Sequence, residues 1–193
     1  TYEPGTPLHR LLEAGRISPA DDELQRTMYY TLKDGLEAHG YEHYEISNFA
    51  RCATPAPSVS PFRSRHNSGY WQQKPYIGLG AAAHSYDGNR RRQWNVDHLF
   101  TYMQGVERGK PVVDGEYLDD TTRYNELVMT ALRTNHGLNL DRLAPALRRY
   151  CMTQAQRYVD TGLLSLLPNP QRLVITRQGL FVSNMIMSQL MYE

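Results

Sequence analysis

The sequence is poor in cysteine and lacks long apolar runs. Cys52 and Cys151 are its two cysteines and lie 99 positions apart, so neither a Cys-x-x-Cys pair nor a disulfide framework can be read, and two thiols cannot hold an iron–sulfur cluster alone. No apolar run approaches the roughly 20 residues that span a bilayer, and no basic, apolar signal segment opens the chain. We therefore expect a cytoplasmic protein without a membrane span.

The sequence also lacks a large net charge of either sign, because 21 Lys and Arg residues offset 20 Asp and Glu residues. The 193 residues are 40% hydrophobic, which excludes disorder for most of the chain and is typical of one ordinary folded domain or two small ones. The chain opens with Thr1 rather than Met. This start indicates the middle of a longer protein.

Apolar residues recur with helical and strand periods, and turn residues separate the periodic segments. In the first half, Ser18 and Pro19 followed by acids predict a helix that runs to about His39. The other elements predicted there are a strand at 41–46, a surface loop at 51–64, a helical turn at 65–72, a strand at 76–85 and a returning strand at 90–94.

In the second half, apolar residues recur with a helical period until a predicted hairpin interrupts the pattern. Its predicted elements are helices at 96–106, 119–132 and 143–159, strands at 163–167 and 173–175, and a final helix capped by Thr176. Each apolar helical stripe needs a partner that covers it. Helices, then a hairpin, then a helix is a winged-helix-like order.

The run Gly78-Leu79-Gly80-Ala81-Ala82-Ala83 has the spacing of a dinucleotide-binding fingerprint with Ala in the last place. That fingerprint needs a helix that starts within it, whereas turn-forming residues follow here. We interpret the run instead as a strand whose small residues let its backbone approach another backbone or a ligand closely.

The densest chemical cluster is His66-Asn67-Ser68-Gly69-Tyr70-Trp71. On a helical turn His66 and Tyr70 share one face, since residues four apart are neighbours. An imidazole can ligate haem iron, and Tyr and Trp supply flat apolar walls, so the cluster suits a large planar ring. The alternative is a histidine that is simply hydrogen-bonded within aromatic packing.

Three ordered motifs resemble those of the oxygen-independent coproporphyrinogen III oxidase-like radical SAM proteins, and most closely their haem-chaperone (HemW) branch. They are Tyr44-Glu45-Ile46-Ser47-Asn48-Phe49-Ala50, Ser64-Arg65-His66-Asn67-x-x-Tyr70-Trp71, and Tyr76-Ile77-Gly78-Leu79-Gly80-Ala81-Ala82-Ala83-His84-Ser85. The resemblance implies an α/β fold: the C-terminal remnant of a partial (β/α) radical SAM barrel in residues 1–95, then a mostly helical, winged-helix-like domain in 96–193.

The resemblance also implies ligands and partners. His66, Asn67, Tyr70 and Trp71 would bind haem, with His66 on the iron side, and Thr1, Ala83 and His84 would lie near S-adenosylmethionine. The [4Fe-4S] cluster would belong to the N-terminal half of the same chain, so residues 1–193 would have no radical chemistry of their own. The implied partners are haem or porphyrin, haem-acceptor proteins and that N-terminal half.

Two other functions compete with haem transfer by a chaperone. The enzyme alternative is oxygen-independent coproporphyrinogen III oxidase, which decarboxylates two propionates oxidatively. The binding alternative is a winged-helix nucleic-acid module. Residues 141–193 carry 6 basic and 3 acidic side chains, and its candidate contacts on one helix are Arg148, Arg149, Gln154 and Arg157.

Overall fold

A computed structural model describes residues 2–53 and 59–192. The helices are α1 (Pro7–Glu13), α2 (Asp22–Ala38), α3 (Arg65–Trp71), α4 (Leu99–Glu107), α5 (Asp120–Leu132), α6 (Pro145–Asp160) and α7 (Ser183–Leu190), with short 3-10 turns at Leu140–Arg142 and Leu180–Val182. The strands are β1 (Tyr41–Glu45), β2 (Asn48–Arg51), β3 (His84–Tyr86), β4 (Arg91–Asn95), β5 (Val113–Tyr117), β6 (Leu138–Asn139), β7 (Leu164–Leu167) and β8 (Arg172–Ile175). The predicted α/β class is confirmed.

The chain divides into two compact units, Thr1–Glu42 and His43–Glu193. The domain boundary predicted at residue 95 stays a prediction. Among the described residues, each helix is too short or too polar to pass through a bilayer.

In the first unit, α2 begins later than the sequence predicted. The Asp21 carboxylate accepts the N–H of Leu24 at 2.8 Å and so caps the helix, and Asp22 and Glu23 follow at its positive end. The predicted start at Ser18 and Pro19 is therefore wrong by three residues, because an ionised Asp provides the cap closer to the periodic residues. The helix ends before Gly40, whose φ of +80° suits glycine.

The core of the second unit lies where α5, α6 and α7 pack on the small antiparallel sheet β6-β8-β7. The apolar stripe predicted for α5 is buried as expected and includes Tyr124, Val128 and Leu132. The predicted hairpin is confirmed as β7 and β8, and the winged-helix-like element order is confirmed with it.

The last helix starts differently from the prediction. The Thr176 hydroxyl accepts the N–H of Gly179 at 3.3 Å and donates to the carbonyl of Gly162 at 2.7 Å. These bonds close a turn rather than cap the helix, and a 3-10 turn precedes the true start of α7 at Ser183. The expected cap at Thr176 is therefore wrong, because the hydroxyl serves the preceding turn.

Strands β3, β4 and β5 form an antiparallel sheet with His84 opposite Trp94 and Trp94 opposite Asp114. The strand predicted at 76–85 is wrong over most of its length, because only Tyr76 bridges to Tyr86 and the regular strand begins at His84. The close backbone approach expected of this segment is present, however. A Cβ on Gly78 would lie 2.1 Å from the carbonyl oxygen of His84.

The stripe predicted for α4 is not covered by any described residue. The helix begins at Leu99, capped by His98, and its side chains Leu99, Phe100 and Met103 are 64%, 63% and 47% exposed. Gly105 is buried on the other side, where an added Cβ would meet the backbone of Lys110 at 3.0 Å. The helix therefore packs through its glycine side and leaves its apolar stripe exposed.

Candidate functional site

The cluster that begins at His66 lies on α3, a confirmed helical turn that starts at Arg65. The Ser64 hydroxyl caps this helix by accepting the N–H of Asn67 at 3.3 Å, and the N–H of Ser64 donates to the Tyr44 hydroxyl at 3.2 Å. The helix is therefore fixed to the end of β1 through Tyr44, a side chain of the first sequence motif.

His66 and Trp71 line one cavity of about 920 Å³. The rings of Tyr70 and His66 form a T-shaped pair with centres 4.8 Å apart, as the four-residue spacing predicts, and the Tyr70 ring also contacts that of Tyr76 at 4.9 Å. Asn67 and Tyr70 are not part of the cavity wall. The structure thus brings His66 and Trp71 to the cavity, while Tyr70 contacts the imidazole without lining the cavity.

The His66 imidazole is exposed, and none of the described residues hydrogen-bonds its ring. A locked packing histidine would be buried and satisfied, so this geometry favours a ring that is available to a ligand. The indole Nε1–H of Trp71 is buried without an acceptor in the described part of the chain, an unsatisfied donor of the kind that functional sites carry.

Trp71 contacts the arginine of an ion pair whose carboxylate is buried. The Arg133 guanidinium lies 5.0 Å from the centre of the indole ring, and its Nε and Nη2 donate to Glu45 Oε1 at 3.1 and 2.8 Å. The Glu45 side chain is 1% exposed and also accepts the N–H of Ser47 at 3.1 Å and an amide N–H of Asn48. Three residues of the first motif therefore orient the wall of the cavity at α3.

The cavity wall is strongly cationic. It includes Arg63, Arg65, Lys74 and Arg142, and none of the described residues that line it is Asp or Glu. None of these four side chains was predicted as a site residue, although Arg65 belongs to the second sequence motif. Three of them lie within eight positions of His66 and were visible there as a basic cluster, whereas Arg142 is brought in by the fold.

A haem-sized ring is compatible with this site, because ligand cavities typically hold about 300–1,000 Å³ and combine apolar walls with a few polar groups. An iron–sulfur cluster is not compatible with the cysteines present. Cys151 is fully buried in the helical core and Cys52 is exposed, and no cluster of three or more His, Cys, Asp or Glu residues placed to hold a metal ion occurs in ranges 2–53 and 59–192.

The residues expected near S-adenosylmethionine are only partly brought together. His84 stacks on Trp94 with ring centres 5.5 Å apart and lines a second cavity of about 430 Å³, together with Ala82. Ala83 does not line that cavity, and its carbonyl accepts the N–H of Asn95 at 3.0 Å. Thr1 lies outside the described residues.

Known proteins resemble this chain in sequence. Residues 118–182 match the HemN C-terminal domain family. The heme chaperone HemW of Mycobacterium tuberculosis (strain ATCC 25618 / H37Rv) is 32% identical over 190 residues, which are 98% of this chain and 45% of that protein. HemW of Bacillus subtilis (strain 168) is 33% identical over 74% of this chain and 35% of its own length.

Radical S-adenosyl methionine domain-containing protein 1, mitochondrial, of Danio rerio is 33% identical over 72% of this chain and 31% of its own length. This chain therefore spans less than half the length of these relatives. The solved structure described as coproporphyrinogen III oxidase (HemN) from Escherichia coli, a radical SAM enzyme, shares the fold with a TM-score of 0.57 at 16% identity, over 89% of this chain and 42% of that one. The chain belongs to the HemW-like proteins of the radical SAM family, and its residues 118–182 match the HemN C-terminal domain.

Proposed function

We propose that this chain is the haem-binding part of a cytoplasmic radical SAM haem chaperone, which binds haem and passes it to acceptor proteins. The observation that carries the proposal is that the exposed His66 imidazole and Trp71 line the same cavity of about 920 Å³. Relatives at 32–33% identity are named haem chaperones, and this similarity supports the same function here.

In this proposal haem is the cargo, and the chain's own residues bind and orient it. His66 offers a ring nitrogen to the iron, because its nitrogens have no other partner among the described residues. Tyr70 restricts the rotation of the imidazole through their T-shaped ring contact at 4.8 Å. Trp71, held by Arg133, supplies a rigid flat wall against which a macrocycle can lie. Asn67 contributes through α3, where its N–H is bound by Ser64.

The cluster and S-adenosylmethionine belong, in the same proposal, to a further domain of the size that the relatives' unmatched length allows. His84 would face S-adenosylmethionine, since it lines the second cavity, and Ala83 would lie near that ligand only as its neighbour in the sequence. The exposed stripe of α4 provides an apolar surface for that domain. Residues described here supply no cluster ligands, so we assign them no radical step.

The two competing functions have weaker support. The fold neighbour is titled coproporphyrinogen III oxidase, but at 16% identity it shows only the fold. For the nucleic-acid alternative, Arg148 already pairs with Asp141 at 3.0 Å, and Arg157 donates to Gln189 at 2.9 Å, so two of the four candidate contacts are engaged inside the protein.

A haem titration followed by Soret absorption tests the proposal. We expect saturable one-to-one binding by the 193-residue chain, and His66→Ala should weaken it and shift the Soret band, because an axial nitrogen is lost. His39→Ala, which removes another exposed imidazole, is the control and should leave the spectrum unchanged. Equal spectra for the protein and His66→Ala would remove His66 from the site, and turnover of coproporphyrinogen by a protein that includes the cluster domain would favour the oxidase.

A further inference from the structure

The charge of the main cavity differs sharply from that of the chain as a whole. The whole sequence carries a formal net charge of +1, whereas the described part of the cavity wall carries Arg63, Arg65, Lys74 and Arg142 and no carboxylate. Like charges that face one cavity repel each other and raise the local potential, which attracts an anion. The wall therefore has the charge of an anion-binding site.

Three of these cations have no counterion among the described residues. Arg65, Lys74 and Arg142 are exposed, and none of them forms a hydrogen bond or ion pair through its charged group with residues 2–53 or 59–192. Elsewhere in the same unit arginines are neutralised, as Arg92 is by Glu116 and Glu126, with contacts of 3.1 and 2.5 Å. Unpaired cations concentrated at one cavity are available to a ligand.

The fourth cation, Arg63, is already positioned. Its guanidinium lies 5.1 Å from the centre of the Tyr44 ring and 2.9 Å from His136 Nε2. Because both Tyr44 and His136 also line the cavity, Arg63 is ordered within the wall rather than free to leave it. It adds a fixed positive charge to the wall, beside the three exposed cations.

We propose that the cavity recognises the carboxylates of a planar tetrapyrrole through Arg65, Lys74 and Arg142, while its flat face lies against Trp71. This inference rests on the proposed haem-binding function. It adds that the cationic side chains select the ligand by its carboxylates. Arg offers a planar pair of N–H donors that fits a carboxylate, and Lys adds a third charge. Three separate cations suit a ligand with two or more carboxylates on its edge better than a neutral ring.

The test changes charge on both the ligand and the protein. Zinc protoporphyrin IX and its dimethyl ester have the same ring, but the ester lacks the two anionic groups. Binding of each to the 193-residue chain is measured by fluorescence in the same dilute detergent. The variants are Arg65→Gln, Lys74→Met, Arg142→Gln and the triple substitution, and Arg149→Gln is the control because Arg149 is exposed on α6 and does not line the cavity.

We expect each single substitution to weaken binding of the free acid by about two- to fivefold, which is the size typical of exposed ion pairs, and the triple substitution by more than any single one. The ester should bind more weakly than the acid and should be unaffected by all these variants. Added salt should weaken binding of the acid and have little effect on the ester.

Acid and ester that bind equally well, or variants that weaken both by the same factor, would overturn the proposed recognition of carboxylates while leaving haem binding intact. Failure of the unsubstituted chain to bind either zinc porphyrin or haem would instead overturn both proposals. A loss of affinity in His66→Ala for haem, without a loss for metal-free protoporphyrin, separates iron ligation from recognition of the carboxylates.

Discussion

Replacing Glu45 with glutamine tests whether the first sequence motif holds the cavity wall in place. Glu45→Gln keeps the size of the side chain but removes the charge that faces Arg133. The Glu45 side chain is 1% exposed and accepts from Arg133, Ser47 and Asn48. A glutamine amide would direct two N–H donors toward a site in which every neighbour is also a donor.

The loss of free energy of unfolding that we expect for Glu45→Gln follows from the burial of this side chain. Removing one partner of a fully buried pair costs about 3–5 kcal/mol, because the other charge is left uncompensated. Arg133 is 27% exposed and keeps part of its hydration, so we expect about 2–3 kcal/mol of lost free energy of unfolding. Glu116→Gln breaks a more exposed pair with Arg92, in which Glu116 is 46% exposed, and should cost about 0–1 kcal/mol.

Urea unfolding followed by tryptophan fluorescence measures both effects. Trp71 and Trp94 are the two tryptophans, so Trp94→Phe isolates the signal of Trp71. In that background Glu45→Gln should lower the urea midpoint by about 1 M, for a denaturant slope of about 2–3 kcal/mol per molar. It should also change the native emission, since Arg133 lies over the Trp71 ring. Equal midpoints for Glu45→Gln and Glu116→Gln would refute this reasoning.

Three further predictions concern the second unit. Ala82 has φ of +59°, so Ala82→Gly should raise the free energy of unfolding by about 0.5–1 kcal/mol, whereas the control Ala83→Gly should lower it. Burial raises the pKa of the Cys151 thiol, so the native state stays protonated while the unfolded thiol ionises above about pH 8.5. Stability should therefore fall as pH rises beyond that value, by at most about 1.4 kcal/mol per pH unit, and urea curves of Cys151→Ala should lose this contribution. Hydrogen bonds from Thr122 hold the pKa of Asp119 below its usual range, so its contribution to stability should disappear as pH falls below about 4, and Asp119→Asn should show a weaker acid dependence of the thermal midpoint.

The sequence predicted correctly those elements that are determined by residues close together in the chain. The capped start of α5, the turn of α3 and the hairpin β7–β8 all follow from residues within a few positions of each other. Strand β5 was not predicted, because Asp114, Gly115 and Glu116 are poor strand formers. Pairing with β4 stabilises it, and that partner lies about twenty positions away in the sequence.

The candidate site was predictable only in part for the same reason. The motif that contains His66 and Trp71 is contiguous, so its chemistry could be read directly. The contact between Glu45 and Arg133 joins residues 88 positions apart, and neither residue identifies its partner. Arg142 reaches the cavity through the same kind of long-range packing. The side chains that orient the site, or that give it its positive charge, could therefore be identified only from the tertiary structure.

A crystal structure of the 193-residue chain with bound haem would test the central proposal most directly. We predict that the macrocycle occupies the cavity of His66 and Trp71, with a ring nitrogen of His66 bonded to iron and carboxylates against the cationic wall. Haem seated on the exposed stripe of α4, or bonded to a histidine outside the cavity, would contradict the account.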